Sequence, residues 1–417
     1  MAQLSDDCFA FGGPLMSIDE AVALIAARVE VVAGVEVLPL AKADGRVLAE
    51  DVRAGIALPA FANSAVDGWA VAFADLAPRG ETRLPVRGRV AAGGSAEGLA
   101  AEGCAVRVFT GAPIPSRADT VFMQEDVALE GDRVVLPAGL KCGANLRPVG
   151  EDVAQGALVL PAGRSLRPQD LALASAIGRV SLPVRTRLRV ALFSTGDELR
   201  EPGSDLPAGA IYDANRAMLR ALIERAGAVV TDLGILRDDR DALRDRLSAA
   251  AAGHDLIVTS GGVSMGEEDH VKAAVEAAGR LVFWRIGIKP GRPVAMGVIG
   301  GTPFVGLPGN PVAAFVTFCY VVRPVIARLS GGSPCEPQTV PVVLAFDYRK
   351  KQGRREFVRV NVAPGADGGL QARKFPKIGA GILTSLTDAD GLVVLSEDLT
   401  VVESGAVVPF VSYAALL

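Results

Sequence analysis

Only two histidines, His254 and His270, occur in 417 residues. That scarcity argues against a His-rich metal centre and a Ser-His-Asp triad, and it leaves mainly oxygen ligands to hold any metal. The five cysteines, Cys8, Cys104, Cys142, Cys319 and Cys335, are odd in number, scattered and free of any Cys-x-x-Cys. This pattern argues against a disulfide framework and a zinc knuckle. Basic charge is not in excess: 43 Lys and Arg against 47 Asp and Glu give a net charge of −4. No cationic surface advertises nucleic acid or an anionic membrane. The opening Met-Ala-Gln-Leu-Ser-Asp-Asp-Cys lacks the cationic region and apolar core of a secretory signal. Elsewhere the apolar runs break off before the roughly 20 residues that span a bilayer. A soluble, cytoplasmic protein with no nucleic-acid and no membrane partner is expected.

What is present is a large globular chain, 50% hydrophobic and 22% charged, long enough for several domains. Its most informative stretch runs from Asp255 to Asp269, Asp-Leu-Ile-Val-Thr-Ser-Gly-Gly-Val-Ser-Met-Gly-Glu-Glu-Asp. An apolar, β-branched run ends in a Gly pair and then in acids. Small residues let loop N–H groups approach a phosphate, and a following helix adds its positive end. Carboxylates repel phosphate unless a divalent cation lies between them, so the stretch suggests metal-assisted chemistry on a phosphorylated ligand.

Ser17 to Val32 reads as a helix, with Ser17 and Glu20 as a capping box and Ile18, Val22, Ile25 and Val29 at helical spacing. From about Asp44 to Gly150, short alternating runs such as Leu84–Val90, Ala105–Phe109 and Thr120–Gln124 indicate a small β-rich unit. Gly150 to Pro168 reads as a hairpin and Gln169 to Ile177 as a helix, which resumes the N-terminal character and makes the β unit an insertion. From Arg187 strands alternate with helices, including a helix Asn215–Ala226 capped by Asn215 and stopped by Gly227. This predicts a doubly wound α/β domain with a mainly parallel sheet, which binds ligands at the carboxyl ends of its strands. Ser330–Pro334 is a linker, and runs such as Val340–Phe346, Phe357–Val362 and Leu392–Leu395 predict a final β domain.

The loops after those strands are Ser194-Thr-Gly-Asp-Glu-Leu199, Arg237-Asp238-Asp239, Ser260-Gly-Gly to Asp269, Lys289-Pro-Gly-Arg-Pro293 and Gly306-Leu-Pro-Gly-Asn-Pro311. Glycines, carboxylates and cations therefore gather at one sheet edge. Pro311 suits the first helical position and Asn310 the cap, so that helix would aim free N–H groups into the same cleft. His254 reads as a helix-end cap; His270, beside Asp269, fits either a cap or the site.

Those loops, with Tyr212-Asp-Ala-Asn-Arg216, Asn63-Ser-Ala-Val-Asp-Gly-Trp-Ala70, Thr110-Gly-Ala-Pro113 and Gly150-Glu-Asp152, resemble the molybdopterin molybdenumtransferase family, which is similar also to the C-terminal part of gephyrin. The resemblance covers nearly the whole chain, in order. It implies a discontinuous linker domain (1–55 and 151–186), an inserted β-rich domain (56–150), an α/β molybdopterin-binding domain (187–332) and a C-terminal β-barrel domain (333–417). It also implies a homodimer whose site is shared between subunits, and contact with other molybdenum-cofactor proteins. The implied reaction takes adenylylated molybdopterin and molybdate, releases AMP and delivers molybdenum to the dithiolene sulfurs with Mg²⁺ or a similar divalent cation assisting.

Catalytic roles are implied for Asp67, Thr110, Asp152, Glu198, Asp238, Asp269 and Lys289, with Glu198, Asp238 and Asp269 as metal ligands. Substrate binding is implied at Thr195, Gly196, Asp197 and Asp213, and at Ser260, Gly261, Gly262 and Ser264. It extends to Arg285, Arg292, Pro308, Gly309, Asn310, Pro311 and Arg354. Carboxylates suit a hard cation held against pyrophosphate, and Lys289 and Arg292 suit an oxyanion. Some positions depart from the family pattern. Trp69 stands for a Tyr, Arg285 for a Lys, and Gly379-Ala380-Gly381 lacks a Ser, for which Thr384 or Ser385 would have to substitute. Arg354 is favoured over Arg355 for the family's arginine. Two other readings stay open: adenylylation of molybdopterin by ATP, which the same α/β fold carries alone, and a non-catalytic dimeric scaffold of the gephyrin kind.

Overall fold

The computed structural model describes residues 15–237, 240–262, 270–291, 293–334, 336–365 and 368–416. Asp238, Ser264, Asp269 and Arg292 lie outside these described residues.

Helix α1 (Ile18–Arg28) begins as its sequence predicts. The Glu20 N–H donates to Ser17 Oγ, and the Ser17 N–H donates to Glu20. The expected hairpin at 150–168 does not form. Leu158–Leu160 pairs instead with Val52–Arg53, and isolated bridges join Leu58 to Val153 and Val47 to Ser165. Turn residues are legible locally, but a strand's partner is set by burial across the fold. The segments flanking the β-rich unit thus bind each other, and the unit between them is a six-stranded sheet. Helix α2 (Pro168–Ala176) and the pairing of Val35–Pro39 with Ser181–Arg185 complete that region.

The α/β unit is a six-stranded sheet of β1 (Arg189–Thr195), β2 (Val229–Leu236), β3 (Leu256–Ser260), β4 (Gly279–Arg285), β5 (Pro293–Ile299) and β6 (Thr302–Leu307). Its order is β2-β1-β3-β6-β5-β4. The first four in that order run parallel, while β5 is antiparallel to both its neighbours. Two reversals make β4 run with β6, so its end meets the same edge as the ends of β1, β3 and β6.

Alternation along the strands sends side chains to two helical layers. Val190, Leu192, Leu256 and Val258 face α3 (Ala214–Arg225) and the helix Pro311–Leu329. Ala191, Phe193, Ile257 and Phe304 face α4 (Arg240–Gly253) and α5 (His270–Ala278). The Pro311–Leu329 helix is apolar and long enough to cross a membrane by composition, but 78% of its apolar window is buried inside the protein. It is a core helix.

The C-terminal strands β7 (Val340–Leu344), β8 (Arg355–Pro364), β9 (Leu370–Lys374), β10 (Gly391–Leu395) and β11 (Val407–Ser412) close into a barrel, because β8 pairs with both β9 and β10. The two-residue strand Ile288–Lys289 joins the barrel parallel to β8. The loop leaving β4 is therefore shared between the α/β sheet and the barrel.

Candidate active site

Four strand-end loops meet at one cavity of about 990 Å³, within the size range of small-molecule sites. Thr195, Gly196 and Glu198 follow β1, and Gly261 and Gly262 follow β3. Lys289 and Gly291 follow β4, and Pro308, Gly309 and Asn310 follow β6. The glycines are required where the loops touch. A Cβ on Gly261, whose φ is +89°, would lie 2.4 Å from the Thr195 carbonyl oxygen. One on Gly262, at φ +63°, would lie 2.5 Å from Thr195 Cγ2. Thr195 is 2% exposed, and its hydroxyl has no partner among the described residues.

Ser260 stands behind this wall, buried, and its Oγ accepts from Asn215 Nδ2 at 2.8 Å. The same Asn215 amide donates to the Gly309 carbonyl at 2.6 Å. Asn215 therefore joins two site loops. It is not the cap that its sequence suggests: Asp213 caps α3, accepting from the Arg216 N–H at 3.1 Å. Asp213 is 3% exposed and also pairs with the Arg216 guanidinium, so it supports the site from outside the cavity. Asp197 is exposed and does not line the cavity.

Asn310 occupies the cap position before Pro311 but makes no side-chain cap bond, and its side chain is left to the cavity. The expectation of free helix N–H groups there is corrected in part, because the Val312 N–H donates to the Ala380 carbonyl at 3.0 Å. Arg285 ends β4 at this edge, paired with Pro293. His254 caps α4, its Nδ1 lying 2.8 Å from the Ala250 carbonyl.

The barrel supplies the opposite wall through Tyr348, Glu356, Arg359, Lys374, Lys377 and Ala380. Arg354 is half-buried and does not line the cavity; the arginine presented there is Arg359. Arg355 is instead engaged by Asp19 and Glu397. Arg359 donates to Ser385 Oγ at 3.1 Å and to the Gly379 carbonyl at 2.9 Å. Ser385, fully buried, thus holds Arg359 rather than replacing the missing hydroxyl at Ala380, and Thr384 does not reach the cavity wall. Lys289 Nζ lies 3.0 Å from Glu356 Oε2. Glu356 carries no mark in the sequence, because an acid on an alternating strand reads as solvent-facing.

Asp67, Thr110 and Asp152 do not reach this cavity within one chain. Asp67 Oδ1 accepts both the N–H and the hydroxyl of Thr110, each at 2.8 Å. Those bonds hold the Asp67 carboxyl below its ordinary range. Beside them the Arg107 guanidinium lies over Trp69 at 5.1 Å and over Phe109 at 5.0 Å, so Trp69 offers a cation-binding face instead of a hydroxyl. Asp152 is exposed.

Of the three expected metal ligands, Glu198 is the one among the described residues. Its carboxylate is exposed to the cavity and has no cationic partner among them, a donor that fits a hard cation.

Three family models match the chain in succession. They are described as the MoeA N-terminal region (domain I and II) at residues 16–178, a probable molybdopterin binding domain at 191–328, and the MoeA C-terminal region (domain IV) at 341–413. A molybdopterin molybdenumtransferase of Haemophilus influenzae is 36% identical over 97% of this chain and 100% of its own length. The chain belongs to the molybdopterin molybdenumtransferase family. It is accordingly an enzyme, a transferase of molybdenum-cofactor biosynthesis. Molybdopterin molybdenumtransferase 2 of Mycobacterium tuberculosis is also 36% identical, over 88% of this chain and 92% of its own. The crystal structure of the molybdopterin biosynthesis protein moeA from Pyrococcus horikoshii OT3 superposes with a TM-score of 0.81 at 31% identity, covering 96% of this chain and 100% of that one. The molybdopterin-binding match, at residues 191–328, includes the ends of β1, β3, β4 and β6, whose loops build the cavity.

Proposed function

We propose that the chain inserts molybdenum from molybdate into adenylylated molybdopterin, releasing AMP. The observation that carries this reading is the junction itself. Gly-lined loops at the ends of three parallel strands face a barrel wall bearing Arg359, Lys374 and Lys377, with Lys289 between them. Loop N–H groups and cations on both sides suit a pyrophosphate and a second oxyanion held close together. Thr195, Gly261, Gly262, Gly309 and Asn310 shape the pyrophosphate side, and Arg359 reaches from the opposite side. Glu198, with Asp238 and Asp269, would hold Mg²⁺ or a similar divalent cation. Bound there, the ion would neutralise charge on the phosphoanhydride as AMP leaves.

The division into linker, inserted, α/β and barrel domains belongs to the same reading, as does a cytoplasmic homodimer. Asp67, Thr110 and Asp152 lie outside the cavity of their own chain, and a partner subunit bringing them to it would give them the catalytic role that the family pattern assigns. A direct test compares AMP release from adenylylated molybdopterin by wild type and Asp269→Asn. The variant is expected to bind substrate and to lose turnover by about hundredfold or more. Near-normal turnover would refute the metal–carboxylate assignment.

A further inference from the structure

Glu356 is the one buried carboxylate in the wall of the cavity among the described residues. It is 1% exposed, on β8. Its backbone is in register with Lys289 across the boundary between sheet and barrel. One oxygen, Oε2, faces Lys289 Nζ at 3.0 Å and accepts the Tyr348 hydroxyl at 2.9 Å. The other, Oε1, is buried without a partner among the described residues. Burial, and then the bond to Glu356, push the Tyr348 phenol up, so Tyr348 stays a donor.

A carboxylate stripped of water is costly by several kcal/mol unless charged donors compensate it. Were Lys289 to swing away, Glu356 would keep a single neutral donor, so the ammonium is held where it is. Yet Lys289 is 49% exposed and lines the cavity. An ammonium has three N–H donors, and Glu356 uses one. The other cations of the cavity differ. Arg359 donates to Ser385 and the Gly379 carbonyl, Lys374 lies over the Tyr348 ring, and no carboxylate partners Arg359, Lys374 or Lys377 among the described residues.

We infer that Glu356 is a positioning residue, one that fixes the Lys289 ammonium at the cavity wall and offsets its charge until an anion arrives. The inference rests on the cavity receiving the pyrophosphate of adenylylated molybdopterin. A pinned cation stabilises charge that develops at one point without reorganising, whereas a free lysine binds the ground-state anion more strongly and follows it. Glu356 therefore trades ground-state affinity for turnover.

The test uses the full-length chain with Glu356→Gln, which keeps the shape and the Tyr348 bond but removes the charge. Calorimetry with inorganic pyrophosphate should show binding about threefold to tenfold tighter, as expected for an offsetting charge removed near the surface of a cleft. kcat for AMP release should fall about tenfold, without a rise in KM. In a Lys289→Gln background the same change should alter neither quantity. A folded Glu356→Gln protein that binds pyrophosphate no more tightly, or whose effects persist in that background, overturns the inference. Should Glu356→Gln not fold, Tyr348→Phe combined with Lys289→Gln decides it: non-additive losses of kcat support the coupled group, and additive ones overturn it. If wild type releases no AMP at all, the functional reading fails, while the pyrophosphate comparison still decides the role of Glu356.

Discussion

At Gly261 a single methyl group would stand 2.4 Å from a carbonyl oxygen, in a backbone conformation with φ of +89°. Because that oxygen belongs to Thr195 on the neighbouring strand, nothing flexible can yield. Gly261→Ala is expected to cost about 3 kcal/mol or more and to abolish pyrophosphate binding, measured by urea unfolding and calorimetry. A stable variant with normal binding would show that the two loops are not held in contact. Residues of this kind were legible in the sequence, since a loop approaching phosphate needs glycine and leaves a visible Gly pair. Asn215, Glu356 and Arg359 were not. Each acts through a side-chain direction fixed by packing with an element far away in the chain, and none stands beside a turn or a glycine that would mark it. Arg354 stands just before β8 and Arg359 within it, and only the barrel's register places the second at the cavity.

Among the elements, α2 carries a test of how the flanking region is tied. Asp170 is 2% exposed and binds Arg164 at 2.7 Å, the Arg167 side chain at 3.2 Å and the Arg167 N–H at 3.1 Å. Burial alone would raise its pKa, but the two arginines and the N–H outweigh burial and hold it at about 2. A folded value below the unfolded one contributes stability above the ordinary carboxylate range, lost as pH falls from about 4 toward about 2. Both arginines are partly exposed, which screens the pair, so Asp170→Asn should cost about 1–2 kcal/mol at neutral pH. It should also flatten the acid limb of the stability profile. An unchanged acid limb would place the pH sensitivity elsewhere. Helix α1 was readable to its capping box because caps are local. The 150–168 segment was misread as a hairpin because its strand pairs across about a hundred residues with Val52–Arg53, which no local signal records.

Over the whole molecule, the parallel core was the most legible part. β3 is buried along its entire length, and such strands appear as continuous β-branched runs. Closure of the barrel was carried by the family resemblance and not by the alternating runs, and its sharing of the Ile288–Lys289 strand with the α/β loops was hidden, since strand order is not written in alternation. That sharing builds the site: the cavity has one wall from each unit, and Lys289 and Glu356 meet across the boundary. Release of AMP at this junction as molybdenum is inserted can be measured with the purified full-length chain, adenylylated molybdopterin, molybdate and Mg²⁺. AMP and molybdenum cofactor should appear in equal amounts, without ATP. No AMP release, together with adenylylated molybdopterin formed from molybdopterin and ATP, would contradict it.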